Sequence, residues 1–234
     1  MRDLPALREQ LRPYLVADSH ATAANHGAYT VRSLYYDTPR LSYYHEKREG
    51  LPVRKKVRIR VYDERTPDSI AFLEVKRKNL GWVSKSRAPV RIGDVDRILA
   101  TGDIDGFVLP LGAYPKRHEH AAHFLYHMQS AHLRPSALVV YQREAFHGAF
   151  DRGFRLTLDY DLRCAMRMDL PDLYREDALT PYLEGLCVVE VKFARGLPSW
   201  VASVLEPYRV RREAVSKYCL GIDACRTRIL TPTV

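Results

Sequence analysis

Two arginines stand two positions apart in KKVRIRVYDE, residues 55–64. Arg58 and Arg60 alternate with Val57, Ile59 and Val61. A strand points successive side chains to opposite faces, so the two guanidinium groups share one face and the apolar residues the other. Other segments repeat the pattern. In FLEVKRK, Glu74, Lys76 and Lys78 oppose Leu73 and Val75. In VVEVKF, Glu190 and Lys192 oppose Val189, Val191 and Phe193. In RLTLD, Arg155, Thr157 and Asp159 oppose Leu156 and Leu158, and in VVYQREAF Arg143 lies on the face of Val139 and Tyr141. Guanidinium pairs bidentately with phosphate, and lysine acts as a mobile point charge. Carboxylates supply hard oxygen ligands for a divalent cation.

An antiparallel sheet with one wet face explains any one such strand. Wet faces usually mix Thr, Ser and Gln with charge, whereas these strands set Arg, Lys and Glu at adjacent same-face positions. Turned inward in a closed barrel, they would line a cationic tunnel dotted with carboxylates. Desolvation costs roughly several kcal/mol per ion, so such a tunnel needs a polyanion to fill it. Helices would then cover the apolar outer face.

The elements that must position these faces are legible. Residues 3–16 have the leucine spacing of an amphipathic helix. Strands are expected at 29–36, 53–63, 70–78, 83–90, 136–146, 154–160 and 186–193. IGDVDRILA reads as a short helix with Asp94 at its N-cap, and 101–117 as a loop. Further helices are expected at 118–132, at PSWVASVLEPY behind Pro198, and at 214–227; MDLPDLYREDALTP reads as a surface loop. No repeat or linker divides the chain, so residues 1–234 are read as one domain, mostly antiparallel strands with helices attached.

Composition narrows the partner. The 234 residues carry 37 Lys+Arg against 28 Asp+Glu, a net charge of +9. That balance favours a polyanion: nucleic acid, polyphosphate, a nucleotide or an anionic membrane. No apolar run approaches the roughly 18 residues of a membrane span. The opening MRDLPALREQLRPYLV is broken by charge and proline, unlike a signal peptide, so the expected location is the cytoplasm. Cys164, Cys187, Cys219 and Cys225 have no CxxC spacing and read as free thiols in a reducing compartment.

In order along the chain, YTVRSLYYDT (29–38), YYHEKREG (43–50), RKKVRIRVY (54–62), FLEVKRK (72–78), KSRAPV (85–90), VVYQREAF (139–146), FRLTLD (154–159), VVEVKF (188–193) and SKYCLGI (216–222) resemble the VTC domain. That family comprises polyphosphate polymerase domains within the triphosphate tunnel metalloenzymes, related to CYTH domains. The resemblance implies an α+β fold: an antiparallel β-barrel tunnel of about eight strands with flanking helices. It implies that Arg58, Arg60, Lys76, Lys85 and Arg143 grip phosphates, and that Glu190 holds Mn²⁺ or Mg²⁺. Lys217, with Ser216 beside it, would close the site. Glu74 and Lys192 are lumen candidates by parity, Glu74 being the next candidate for the metal.

The implied activity moves the γ-phosphoryl of ATP onto a phosphate chain. The attacking oxygen is already anionic, so positioning and charge neutralisation suffice without a general base. A tripolyphosphatase or nucleoside triphosphatase on the same scaffold is the alternative, as is a non-catalytic polyphosphate-binding module. The expected partners are therefore ATP, triphosphate or polyphosphate. Specific nucleic-acid binding is not expected, because it usually needs exposed basic surface with stacking aromatics. Family members usually open with an RxExKY-like strand, whereas this chain opens almost directly at the first helix. A tunnel short of that strand would expose an edge and invite self-association.

Other signals have ordinary explanations. His118, His120, His123 and His127 cluster in HEHAAHFLYH, and His123 and His127 have helical i, i+4 spacing, yet no further ligand accompanies them. They read as helix-surface histidines. The paired tyrosines of YYDT and YYHEK read as core packing with bonded hydroxyls. Lys47 is a candidate for the tunnel mouth. Asp159 and Asp161 are candidates for metal support or for strand-end turns.

Overall fold

The computed structural model describes residues 2–18 and 27–230. Helices α1 (Leu4–Leu11), α2 (Ser42–Arg48), α3 (Val95–Thr101), α4 (Arg117–Ser130), α5 (Ser199–Leu205) and α6 (Lys217–Leu230) accompany nine strands. The strands are β1 (Leu15–Ala17), β2 (Ala28–Asp37), β3 (Val53–Tyr62), β4 (Ile70–Asn79), β5 (Trp82–Arg91), β6 (Arg134–Gly148), β7 (Arg155–Met166), β8 (Thr180–Pro181) and β9 (Val188–Lys192). Their order is β5-β4-β3-β2-β6-β7-β8, with β1 paired to β6 and β9 to β7. Among the described residues no ladder joins β5 to the far end of this path. The sheet is therefore mostly antiparallel and open, not the closed barrel expected from the sequence. Face alternation identifies which side of a strand is apolar, but it is silent about whether the first and last strands pair.

The residues fall into two compact units. One comprises Met1–Thr30, Tyr141–Leu162 and Pro181–Val215; the other comprises Val31–Val140, Arg163–Thr180 and Ser216–Val234. In the larger unit, β3 and β4 send Val57, Ile59, Val61, Ala71, Leu73 and Val75 into one core. Leu34 and Tyr36 of β2, Val95 and Ile98 of α3, and Ala121, Phe124 and Leu125 of α4 complete it. The apolar half of each alternating strand is thus covered by helices, as the pattern predicts. In the smaller unit, Leu4, Leu7 and Leu11 of α1 pack with Phe154, Leu156 and Leu158 and with Val201 of α5. Tyr14 stacks on Trp200 with ring centroids 4.4 Å apart.

Several elements differ from the expectation. The helix expected over 3–16 stops at Leu11, because Pro13 lacks an amide hydrogen to continue the ladder, and 15–17 pair with β6 instead. Strand β7 runs on to Met166, past a left-handed Asp161 with φ of 51°. The expected loop after it contains a short 3-10 turn, Leu170–Tyr174, whose Leu173 is buried. Asp94 does stand at the N-cap of α3, without a side-chain hydrogen bond. No helix of the described residues is long and apolar enough to cross a membrane.

Candidate functional site

In the larger unit the register of three ladders puts the charged residues in rows. Arg58 lies opposite Tyr35 on β2 and Glu74 on β4, and Glu74 lies opposite Arg87 on β5. The next row is Lys56, Lys76 and Lys85. On the other side, Arg60 lies between Ser33 and Phe72. Directly opposed residues share a face. On β3, β4 and β5 these rows therefore carry six cations and, among the described residues, one carboxylate, Glu74.

Glu74 is the counter-ion that gathers the arginines. Its side chain is 3% exposed, and its Oε2 accepts from Arg58 Nε at 2.7 Å. Its Oε1 lies 3.1 Å from both Lys85 Nζ and Arg87 Nε, as ion pairs outside hydrogen-bonding geometry. Burial alone would raise the Glu74 carboxyl, but Arg58, Arg60, Lys85 and Arg87 together hold it well below the ordinary carboxylate range. Neutral partners fix the guanidinium groups further. Arg58 Nη1 donates to Tyr35 OH at 2.9 Å, Arg60 Nε to Ser33 Oγ at 3.0 Å, and Arg87 Nη2 to Tyr62 OH at 2.9 Å. Arg87 also lies 3.6 Å over the Phe72 ring. Burial would likewise raise the Tyr35 phenol, yet Arg58, Lys56 and Arg60 pull it down to about 8.

The lysine row is softer. Lys56 donates from Nζ to Ser216 Oγ at 2.9 Å, and burial lowers its pKa. Burial lowers Lys85 too, although half its side chain is solvent-accessible, and Lys76 is exposed. Like charges directly opposite each other destabilise a sheet, so this row has a standing demand for negative charge.

The start of α6 is tied to this face. Lys217 opens the helix directly after the buried Ser216. Tyr218 stacks on Tyr35 at 4.7 Å and donates to Asp37 Oδ2 at 2.7 Å. Buried Asp37 also accepts the backbone N–H groups of Thr38, Tyr43 and Tyr44, and so caps α2. That helix was not legible, because its cap lies five residues ahead of it and Leu41 intervenes in a left-handed conformation.

The smaller unit holds the remaining predicted residues. Arg143 clamps Asp159 with both prongs, at 2.6 and 2.7 Å, and Asp159 is fully buried. Arg143 Nη2 is 3.8 Å from Glu190 Oε2, and Lys192 Nζ is 3.1 Å from Glu190 Oε1. The Glu190 side chain is 42% exposed. On β7 and β9, Thr157 lies opposite Glu190 and Arg155 opposite Lys192.

Arg58, Arg60, Glu74, Lys76, Lys85, Ser216 and Lys217 thus belong to one unit, and Arg143, Glu190 and Lys192 to the other. Lys56, Arg87, Tyr35 and Ser33 were missed. Parity held the signal for Lys56 and Arg87: each is two residues from a predicted residue on its own strand. Of the four histidines expected on the helix surface, His118 is exposed, His120 and His123 are half-buried and His127 is buried. His123 Nδ1 lies 3.0 Å from Ser86 Oγ, and buried His127 Nε2 is 3.1 Å from His123 Nε2. Burial, with His123, Lys55 and Arg77 nearby, lowers His127 to about 4.

The VTC domain model matches residues 1–226, and the chain belongs to that family. No curated protein matches it. Among solved structures, it is similar to HpAC1 from Hippeastrum, reported to have a dominant triphosphatase activity. The two share 13% identity over 94% of this chain and 89% of that one, with a TM-score of 0.46.

Proposed function

We propose that the protein binds a triphosphate or polyphosphate on the charged face of β3–β5 and transfers the γ-phosphoryl of ATP to a phosphate chain. The observation that carries this reading is the in-register row Lys56–Lys76–Lys85 beside Arg58–Glu74–Arg87. Three lysines side by side repel one another until an anion bridges them, and the neighbouring arginines are already held in position. A phosphate oxygen arriving there meets donors that need little reorganisation, which is how charge developing in a phosphoryl transfer is stabilised.

Family membership supports a divalent metal. Among the described residues no three His, Cys, Asp or Glu side chains converge as ligands. A hard cation delivered on phosphate oxygens needs only one or two protein carboxylates. The half-exposed Glu190 fits that demand. Glu74 does not, because it is buried and enclosed by Arg58, Lys85 and Arg87 within 3.1 Å, and we assign it the role of counter-ion. Mn²⁺ or Mg²⁺ held by Glu190 would neutralise phosphate charge and polarise the transferred group. Within the smaller unit, Arg143 and Lys192 lie beside Glu190 and would bind phosphate there; within the larger unit, Lys217 would contribute a phosphate contact.

Transfer to phosphate is favoured over hydrolysis by the same carboxylate. Glu74, held far below the usual range, is a poor base for activating water. A phosphate-chain end needs no base, since its oxygen is already ionised. Incubation with ATP and Mn²⁺, followed by gel separation of polyphosphate and assay of free phosphate, tests the reading. Polymer is the expected product. Free phosphate alone would identify a triphosphatase, and neither product would leave a binding module.

A further inference from the structure

The β4–β5 hairpin ends in a feature the phosphate face does not use. Asn79 lies opposite Trp82, so Leu80 and Gly81 form a two-residue turn. Both have positive φ, 45° and 97°. Such turns favour Asn-Gly, because an L-residue other than Asn or Asp is strained there. Leucine at this position is costly, and it gains nothing by packing: Leu80 is 75% exposed. Trp82 is 85% exposed and Val83 57%. Beside them, Val53 at the start of β3 and Leu51 just before it are also exposed, and Leu80 N–H donates to Pro52 O at 3.3 Å.

Behind this apolar tip stands a basic collar. Arg54 lies opposite Lys78, and Lys55 opposite Arg77. From residue 51 to 55 and from 77 to 84 the three strand ends contain no carboxylate. The nearest in sequence are Glu49, exposed after α2, and Glu74, already enclosed by Arg58, Lys85 and Arg87; Glu46 accepts the Lys55 backbone N–H at 3.3 Å. A tryptophan and leucine at a tip with cations one row behind match the layering of an anionic lipid surface. Indole sits at the headgroup level, apolar side chains reach the acyl boundary, and Lys and Arg meet the lipid charge.

We infer that the β4–β5 hairpin tip, Leu80–Trp82 with Leu51 and Val53, inserts into the headgroup layer of an anionic membrane, held by Arg54, Lys55, Arg77 and Lys78. The protein would then bind peripherally, with the rows of the phosphate face beginning at Lys56, Lys76 and Lys85 directly behind the collar.

The test is co-sedimentation of the full chain with phosphatidylcholine vesicles, with and without phosphatidylserine, followed by tryptophan emission. Binding is expected only with phosphatidylserine, weakening as salt rises, with a blue shift from Trp82. The double variant Leu80→Asn, Trp82→Thr should lose at least about tenfold in affinity, in line with removal of two buried apolar side chains. Leu80→Asn relieves the turn, so its Tm should hold or rise, which separates lost binding from lost folding. Binding independent of phosphatidylserine overturns the inference, as does unchanged binding by the double variant. Binding lost only in Lys76→Ala would place the lipid contact on the phosphate face and also overturn it. Failure to bind vesicles, with a dimer that the double variant dissolves, would make the tip a contact between copies of this chain.

Discussion

Arg58 and Glu74 face each other across the β3–β4 ladder, with Arg58 Nε 2.7 Å and Nη2 2.6 Å from a single carboxylate oxygen, Oε2. The other oxygen is left to Lys85 and Arg87. One buried anion thus organises cations from three strands, and most of the testable behaviour of the charged face turns on it.

Replacing Glu74 by Gln removes that anion and leaves buried cations uncompensated. The expected cost is about 3–5 kcal/mol of unfolding free energy, measured in urea. Because the folded-state pKa is depressed from 4.5, the wild-type contribution is fully present above that value and lost as pH falls through the folded pKa. Glu74→Gln should flatten this acid limb. Tripolyphosphate should also raise the variant's Tm more than the wild type's, since the ligand then supplies the missing charge.

Tripolyphosphate should stabilise the wild-type protein by roughly 2.7 kcal/mol at 100 times its dissociation constant. Sodium chloride at matched ionic strength should not. Lys76 is exposed, so Lys76→Glu leaves the fold intact and places a negative charge in the middle of the lysine row. Differential scanning fluorimetry should show the tripolyphosphate shift reduced or abolished in that variant. Equal shifts with both salts would remove the phosphate site.

Tyr35 should ionise early. With its phenol at about 8, ultraviolet difference titration of the folded protein should contain a tyrosinate step near pH 8 that Tyr35→Phe deletes. The unfolded state holds that proton up to about 10, the ordinary tyrosine value, so Tyr35 makes stability rise with pH between those limits. A bound polyanion offsets the cations responsible and should move the step upward.

Glu190→Gln should spare tripolyphosphate binding while removing metal-dependent turnover, because the amide keeps the shape and loses the charge. The check is a Mn²⁺ titration of turnover beside a binding isotherm. Unchanged turnover would mean that the metal is held elsewhere.

How much of this was legible depends on what periodicity can encode. Arg58, Arg60, Glu74 and Lys76 were assigned to one face because a strand has only two, and the ladders agree. The elements carrying them were found for the same reason. The partners of Glu74 were not, since register between strands is set by turns and packing rather than by either strand alone. Arg87 lay inside KSRAPV, two residues from Lys85, but its pairing with Glu74 became visible only when β5 was aligned to β4. The histidines show the converse. His123 and His127 have a polar label and a helical spacing, but only the docking of α4 on β5 decides that His123 meets Ser86 and that His127 meets His123. Edge pairing lies outside periodicity altogether, which is why a barrel was expected where an open strand order is found.

The hydrogen bond from Lys56 to Ser216 joins residues 160 positions apart. Translation at about 5–20 residues per second puts about 8–30 s between the synthesis of the two. During that interval β3–β5 can already pair, with their cations in rows, while the segment that receives Lys56 and anchors α6 has yet to leave the ribosome. The nascent chain therefore carries an unfinished, strongly cationic surface beside a polyanionic machine made of RNA. Glu74, built into β4 early, is the anion present throughout that wait.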